Sequence, residues 1–471
     1  MKVTTLLSSV TAMLLLSVPA IAEDFIDGGF VFVGTNHNNS CLRRTDPSCP
    51  NHLCPCPTVP NDEPTNQVLM YSRAQDGGLT LLGRFDTGGQ GSGPSIRFAG
   101  DGLGAAHSVE LSQDRRWLFV TNFGSDDVSV FRVFKQGLYL TDVASTRPSG
   151  DPSAGFPNSV TQHGDLVYVL NSGGAGSITG FRLSAYGTLT PIPGSTRGLI
   201  ANQSFTRPDT LFNPAEVSFT PDGRQLVVTI KDAALQVDAA FTGPGRVLVF
   251  DVGPDGTPSK NFTQTNVENH GPFGFSFDRN GNLIVALFLG SGPPDFTGAV
   301  GSFTPKPDDT LTAITPDVGN GQLDTCWVEN NGTYAWTANY TSGNVSSYSI
   351  GNNGGLALLQ AVAGTTNAPV PPKSQGSTPL DIRVTDNGQF LYDVLPGSGK
   401  VAGWRINNIN GSLTKVGEFP ITIVSGGVER LLDTVDGDHA ECEVSSGEFV
   451  NCEFGPGGSP AGIAAVDFLP Q

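Results

Sequence analysis

Charge is scarce in this chain. Only 15% of its residues are Asp, Glu, Lys or Arg, and only 3 are Met and 6 are His. Cations are scarcer than anions, which leaves a formal net charge of −18 and a pI near 4.6. No basic cluster occurs anywhere, which argues against binding to nucleic acid or to an anionic membrane surface; the acidity serves solubility. Long apolar runs are missing too. After the first 22 residues, no segment reaches the roughly 18 consecutive apolar residues that a membrane-spanning helix needs. The usual signatures of catalysis are also absent. GGQGSG at residues 88–93 follows a strand pattern and opens no helix, so the anion-binding logic of a helix N-terminus does not apply. No nucleophile elbow, His-Glu-x-x-His or dinucleotide fingerprint is found.

What is present begins at the N-terminus. Lys2, the apolar stretch LLSSVTAMLLLSVPA and the triplet Ala20-Ile21-Ala22 read as a secretory signal peptide over residues 1–22, cleaved after Ala22. A membrane anchor is the rival reading, but the run is short and is broken by Ser8, Ser9 and Thr11. The expectation is a soluble, secreted or cell-surface-associated protein spanning residues 23–471. Its 7 cysteines then imply disulfides with one thiol left over. Cys442 and Cys452 flank the turn sequence SSGE and suit a hairpin bridge. Cys41, Cys49, Cys54 and Cys56 could form two local bridges or, with His37 and His52, a zinc site, although their spacing departs from paired C-x₂₋₄-C units. Cys326, in DTCWVE, is expected as a buried free thiol. Asn-x-Ser/Thr sequons stand at Asn38, Asn202, Asn261, Asn331, Asn339, Asn344 and Asn410, acceptors for N-glycans in an exported chain.

Gly (60) and Pro (34) are abundant, and Val, Thr, Phe and Ser outnumber helix formers. This is an all-β composition with many turns. A pattern then repeats: HSVELSQDRRWLFVTN, NSVTQHGDLVYVLN, AEVSFTPDGRQLVVTI, FGFSFDRNGNLIVALF, DTCWVENNGTYAWTAN and LDIRVTDNGQFLYDVL. Each copy has two apolar strands around a turn that tolerates positive φ. Third strands come next, as in DVSVFRV, RVLVFDV and KVAGWRI, then weaker fourth strands such as GTLTPI and GSLTKV. Copies start roughly 50 to 60 residues apart, the period of propeller blades. Six lie between about residues 105 and 420. A seventh combines GFVFVGTN, QVLMYSR and LTLLGRF with a first strand from the C-terminal SPAGIAAVDF. The expected fold is therefore an all-β, seven-bladed β-propeller, a single domain over 23–471 closed by N- and C-terminal strands. Cys-bearing insertions occupy about 35–66 and 421–457. A closed ring leaves no edge for another chain, so a monomer is expected. A two-domain sandwich is the alternative, but the repeat runs across any boundary.

The blade pattern, AHSVELSQDRRWLFVTNFGSDDVSVFRV, EVSFTPDGRQLVV and the closing PAGIAA resemble the lactonase family of seven-bladed propellers, which includes 6-phosphogluconolactonase and carboxymuconate cyclase. The similarity covers residues 27–470. It implies a lactone hydrolase or muconate cycloisomerase type of chemistry, with His, Arg and Glu projecting from first strands into one mouth of the channel. His107 falls on the family's His-Ser position in the second blade. Elsewhere the chain departs. Pro214-Ala215-Glu216 stands for a Pro-Arg-His type pattern, Pro272-Phe273-Gly274 occupies a place where Glu is common, and Pro379-Leu380-Asp381 replaces a Pro-Arg. Both cationic clamps for anionic substrates are missing in register.

Two functions are compatible with these residues. In one, His107 is a general base with Glu216 or Asp381 as its carboxylate partner, acting on a neutral or cationic ring. In the other, the propeller is a non-catalytic scaffold that binds a small molecule, an extracellular protein or a carbohydrate. Glu216 must pair with a cation if it is buried, with Lys231 or Arg383 as candidates. Glu216, Asp324 and Asp381 from three blades could also form an oxygen-rich ring for Ca²⁺ or Mg²⁺. His270, in ENHGPF, is a further candidate for the mouth, so Asp324, Asp381 and His270 are the expected ligand-binding set. Asn122, Asn171 and Asn339 end second strands and are expected to cap turns; Trp327, Trp336 and Trp404 are expected to pack between blades. Peptide mapping of the unreduced protein should find Cys442 joined to Cys452, and any other partner for Cys442 overturns that pairing.

Overall fold

Short apolar strands punctuated by Asp-Gly and Asn-Gly turns can only fold back on themselves, and here they do so seven times. The computed structural model describes residues 28–39, 42–44, 53–55, 64–93, 101–147, 155–201, 203, 208–232, 244–268, 270–288, 297–306, 308–366, 377–432, 443–444, 448–449 and 458–469. Seven antiparallel sheets, most of four strands in simple meander order, account for the repeat. The inner strands are Ile463–Val466 (blade 1), Val109–Leu111 (blade 2), Pro157–His163 (blade 3), Pro214–Phe219 (blade 4), Gly271–Phe277 (blade 5), Thr325–Asn330 (blade 6) and Ile382–Val384 (blade 7). The only helical element among the described residues is a single 3₁₀ turn, Pro396–Ser398.

Blade 1 carries the closure. Its inner strand comes from the C-terminus and pairs with Phe30–Gly34, in the register Phe30 opposite Val466 and Val33 opposite Ile463. The chain then runs through Gln67–Arg73 and Leu79–Asp86. A buried ion pair between Arg73 and Asp467 pins the last turn of chain to the third strand. The expected join of the two ends is thus the observed one.

Faces of neighbouring blades pack as apolar layers. Phe30, Phe32 and Met70 of blade 1 meet Leu118, Val120 and Phe131 of blade 2, and Phe119 and Val130 of blade 2 meet Val167 and Phe181 of blade 3. Fully burying each such side chain contributes roughly 1.5–3 kcal/mol. Trp327, Trp336 and Trp404 are fully buried, as expected of inter-blade packing. Asn122 and Asn339 also do what was expected. Asn122 donates to Asp127 (2.5 Å) and Ser129 (2.7 Å), and Asn339 to Asn344 (2.7 Å) and Ser346 (2.8 Å), each tying the second strand to the third.

The insertions contain hairpins of their own. Leu42–Arg44 pairs with Leu53–Pro55, and Glu443–Val444 pairs with Glu448–Phe449. The segment expected as a signal peptide, the thiol positions Cys41, Cys49, Cys56, Cys442 and Cys452, and Asn202 lie outside the described residues, as does the side chain of Cys54. Among the other sequons, Asn38, Asn339 and Asn344 are buried. Asn38 donates to the Gly91 carbonyl and Asn339 to Asn344, so a glycan there would break the bonds that hold those turns. This corrects three of the seven expected acceptors and leaves Asn261 and Asn410 exposed and Asn331 half-buried. Deleting residues from Gly462 onward removes the first strand of blade 1 and opens the ring. Loss of a single cooperative melt is the expected result; an unchanged melt would refute the closure.

Candidate functional site

The connection from blade 1 to blade 2 does not pass over the surface; it crosses the channel. Residues 102–106 are buried, and Leu103, Ala105 and Ala106 join one apolar cluster with Phe156, Ala215, Phe273, Trp327, Leu380 and Ala461. Those partners come from blades 3, 4, 5, 6, 7 and 1, each at or just before the start of an inner strand. Polar contacts fix the crossing segment. Ala106 N–H donates to the Ala215 carbonyl (3.0 Å), the Trp327 indole to Ala105 (3.0 Å) and the Asn213 amide to Leu103 (2.9 Å). The Lys231 ammonium donates to the Gly104 carbonyl and lies 4.1 Å from the centroid of the Phe273 ring. Gly104 is required here: its φ is +57°, and a Cβ would fall 2.7 Å from the Thr210 carbonyl oxygen. The segment corks the mouth at which inner strands begin.

His107 follows the cork directly and sits beneath it. Its Nδ1 lies 3.2 Å from Glu216 Oε1 of blade 4 and its Nε2 lies 3.4 Å from Glu329 Oε1 of blade 6. Its backbone N–H points to Asp381 Oδ1 of blade 7 at 3.4 Å. The other oxygen of Glu216 accepts from Phe275 N–H at 2.7 Å. Arg383 reaches inward to Glu110 (2.6 Å) and Glu329 (3.1 Å), and its Nε donates to Ile463 in blade 1. The imidazole is thus bracketed by two carboxylates, one of them shared with a guanidinium. Glu216 Oε1, Glu329 Oε1 and Asp381 Oδ2 are buried with no hydrogen-bond partner among the described residues; the contacts to the ring are close in distance but out of line for a bond. Buried carboxylate oxygens rarely stay unpaired. The φ of His107, +59°, is shared by Phe156 and Asp324 at the entrances to other inner strands, so it belongs to the architecture.

Inner-strand bulges explain which side chains point inward. Register shifts occur at Pro157/Ser159, Pro214/Glu216, Pro272/Phe275 and Thr325/Trp327. Each inserts a residue near the start of its strand and re-aims the side chains beyond it. Of the expected site residues, His107, Glu216 and Asp381 come together. Asp324 does not join them: it stands before the bulge of blade 6 and accepts from Thr341. The Ca²⁺ or Mg²⁺ ring of Glu216, Asp324 and Asp381 is therefore corrected, and no metal-binding cluster of His, Cys, Asp and Glu forms among the described residues. His270 is also corrected. Its Nε2 lies 3.5 Å from Asp317 in the outer strand of its own blade, which turns the ring away from the channel. Glu216 pairs with neither Lys231, which holds the cork, nor Arg383. Glu110 and Glu329 were missed, and Arg383, expected only as a partner of Glu216, reaches Glu110 and Glu329 instead. All three sit at one level, opposite Phe119, Trp336 and Tyr392 of their second strands. The signal was a single charge set inside an apolar first strand: V-E-L, V-E-N and I-R-V.

The family model described as the seven-bladed beta-propeller lactonase matches residues 64–292 and 294–427. The chain belongs to this lactonase family. Among solved structures, this propeller resembles a putative 6-phosphogluconolactonase from Bacteroides uniformis at 16% identity and a TM-score of 0.56, covering 87% of this chain and 98% of that one. It also resembles one from Bacteroides fragilis at 16% identity and 0.56, covering 94% and 99%. The periplasmic gluconolactonase of Pseudomonas aeruginosa matches at 15% and 0.54, covering 93% and 100%. At these identities the likeness is one of fold. No curated protein matches the chain.

Within this lactonase-family channel the acids hold their protons unusually tightly. Burial raises the Glu216 carboxyl from 4.5 to about 8, against the pull of His107. Burial raises Asp381 from 3.8 to about 7, and pushes Asp393, behind it in blade 7, well above its ordinary value with help from Asp381. Burial of the His107 ring disfavours its charge, but Glu216, Glu329 and Glu110 outweigh it and raise the ring from 6.5 to about 9. Lys231 moves the other way, from 10.5 to about 8, because its ammonium is buried. Burial also pushes the thiol of Cys326 well above its ordinary value, as expected of a buried free cysteine.

Asp381, Glu216 and His107 all bind protons more tightly folded than unfolded. Their stabilisation is full below their unfolded values and is lost as pH rises through about 7, 8 and 9 respectively. Lys231 opposes this only above about pH 8, where its buried charge is relieved. The melting temperature should therefore fall between pH 4.5 and pH 8, and Glu216→Gln should flatten the slope. A melting temperature that rises over this range would refute the assignment of raised acids.

Proposed function

We propose that this is an exported lactonase-family propeller in which the His107, Glu216, Glu329 and Arg383 cluster performs acid–base chemistry on a small uncharged ring such as a lactone. The supporting observation is the imidazole held between Glu216 and Glu329, with Arg383 beside the second. Below about pH 9 the ring is cationic, so it acts as a proton donor, in place of the base expected from sequence. A carboxylate must then activate water, and Glu329, held by Arg383, is placed for it. Water attacks the ring carbonyl and gives its proton to Glu329. His107 offers an N–H group to the developing oxyanion. The ring C–O bond breaks, and the departing alkoxide takes a proton from His107. The 3.4 Å contact between Glu329 and Nε2 lets the two exchange the proton and reset.

An anionic substrate does not suit this site. Arg383 is the one Lys or Arg in the cluster, and Glu110 and Glu329 already occupy it. Secretion, the Cys442–Cys452 bridge, glycosylation at the accessible sequons and a monomeric state complete the proposal. They rest on the leader-like first 22 residues, the cysteine spacing, the sequons and the closed ring.

A second reading, a scaffold that binds a partner without turnover, draws support from the cork, which covers the mouth near His107. Assay of the purified protein against uncharged lactones separates the two. Turnover should appear, fall by roughly 10²- to 10⁴-fold in His107→Ala as expected for general acid–base catalysis, and decline above about pH 9. Glu216→Gln should move that decline to lower pH, since the lost carboxylate no longer holds the proton on His107. Absence of turnover on every ring would leave the scaffold.

A further inference from the structure

We infer that the His107 cluster is reached from the turn end of the channel, through a cleft between blades 5, 6 and 7, and that the loop end is permanently closed by residues 102–106. The route is read from burial along the strands. Six of the seven inner strands share one trend: they are buried where they begin, and five of those six end half-exposed while the Pro214–Phe219 strand is half-exposed one residue before its end. Among the charged side chains, Glu216 just under the cork is 0% exposed, His107 14%, Glu329 12%, Arg383 16% and Glu110 24%. Water therefore enters from the end where inner strands turn into second strands.

A cleft of about 560 Å³ opens at that end. Three of its walls are consecutive inner-strand ends, Phe277, Asn330 and Val384, and the last two directly follow Glu329 and Arg383 in sequence. Further out lie Asn331, Asn387 and Asn408 on the turns and the hairpin connection. The lining is polar and carries Asp278, Arg279 and Asp386 beside these carboxamides and the Phe277 ring, which suits a small molecule that offers and accepts hydrogen bonds. The nature of the occupant rests on the chemistry proposed for His107, whereas the route does not.

The opposite mouth is held by four hydrogen bonds that tie the segment to the blades. Besides the bonds from Asn213, Lys231, Trp327 and to Ala215, Asp101 accepts from the N–H groups of Leu103 (3.2 Å) and Gly104 (2.6 Å). A lysine that donates to a backbone carbonyl inside an apolar cluster would be left with an unpaired buried charge if the segment lifted. That cost keeps the cork seated.

The test measures access without needing turnover. Glu110→Cys places a thiol at the cluster's wettest position, and Ser218→Cys, in the inner strand of blade 4 opposite Val227, supplies a second half-buried thiol with almost no change of volume should the first variant fold poorly. Each is treated with a small uncharged thiol reagent, and modification at that residue is read by peptide mass. The thiol should react, its rate should drop severalfold when Thr333→Trp is added at the turn-side cleft, and it should be unchanged by Asn213→Ala, which loosens the cork. An unreactive thiol in both variants, or a rate that ignores Thr333→Trp and rises with Asn213→Ala, would overturn the route. Lactone turnover measured alongside reports on the chemistry separately: labelling in the expected pattern with no turnover keeps the route and removes the proposed reaction.

Discussion

Pairing of Ile463–Val466 with Phe30–Gly34 is the contact on which the molecule depends. Six sheets could stack as an open fan, each burying one face on the next, but the first and last would expose apolar faces and unpaired edges. Supplying the innermost strand of blade 1 from the far end of the chain turns the fan into a ring. Every blade then has two neighbours, and seven inner strands surround one axis. Arg73 and Asp467 hold that seam by a charge pair shielded from water. The site exists only because the ring is closed: Arg383 of blade 7 reaches Glu110 of blade 2 across blade 1, resting on the Ile463 carbonyl as it passes.

A narrow axis makes electrostatics severe. Glu110, Glu216, Glu329 and Asp381 face two cations, His107 and Arg383, in a space largely closed to water. Such a set cannot be fully ionised, because like charges repel strongly where the surroundings screen poorly. The structure resolves the conflict by proton uptake. Glu216 and Asp381 hold protons near neutrality, while the two carboxylates that reach Arg383 match the two cations. The same carboxylates hold the proton on His107. The guanidinium of Arg383 is committed to carboxylates.

Much of this was legible in the residues. Alternating apolar strands and positive-φ turns recur at blade spacing, and these local rules predicted the sheets, the borrowed terminal strand, the turn-stitching Asn122 and Asn339, and the packing tryptophans. His107, Glu216 and Asp381 were also found, through the resemblance to the lactonase family, whose motif positions they occupy or adjoin. Asp324 and His270 stood at similar places in the sequence and failed. A bulge at Thr325/Trp327 shifts the inward set of blade 6 to Glu329, and Asp317 draws His270 toward its own outer strand. Glu329 could have been noticed as a charge interrupting an apolar strand, whereas Arg383 was expected beside Glu216 and instead reaches Glu110 and Glu329.

Sequence by itself determined the period, the blade count, the seam and the family, because each arises from patterns within a few residues or from the repetition of such patterns. Tertiary structure alone decided what faces the axis. Pleat alternation states which residues share a face, yet a single bulge reverses it, and bulges have no sequence mark here. Nor could local pattern reveal that residues 102–106 cross the channel. Their partners, Asn213, Lys231, Phe273 and Trp327, lie more than a hundred residues away, and only the closed ring brings them to one place.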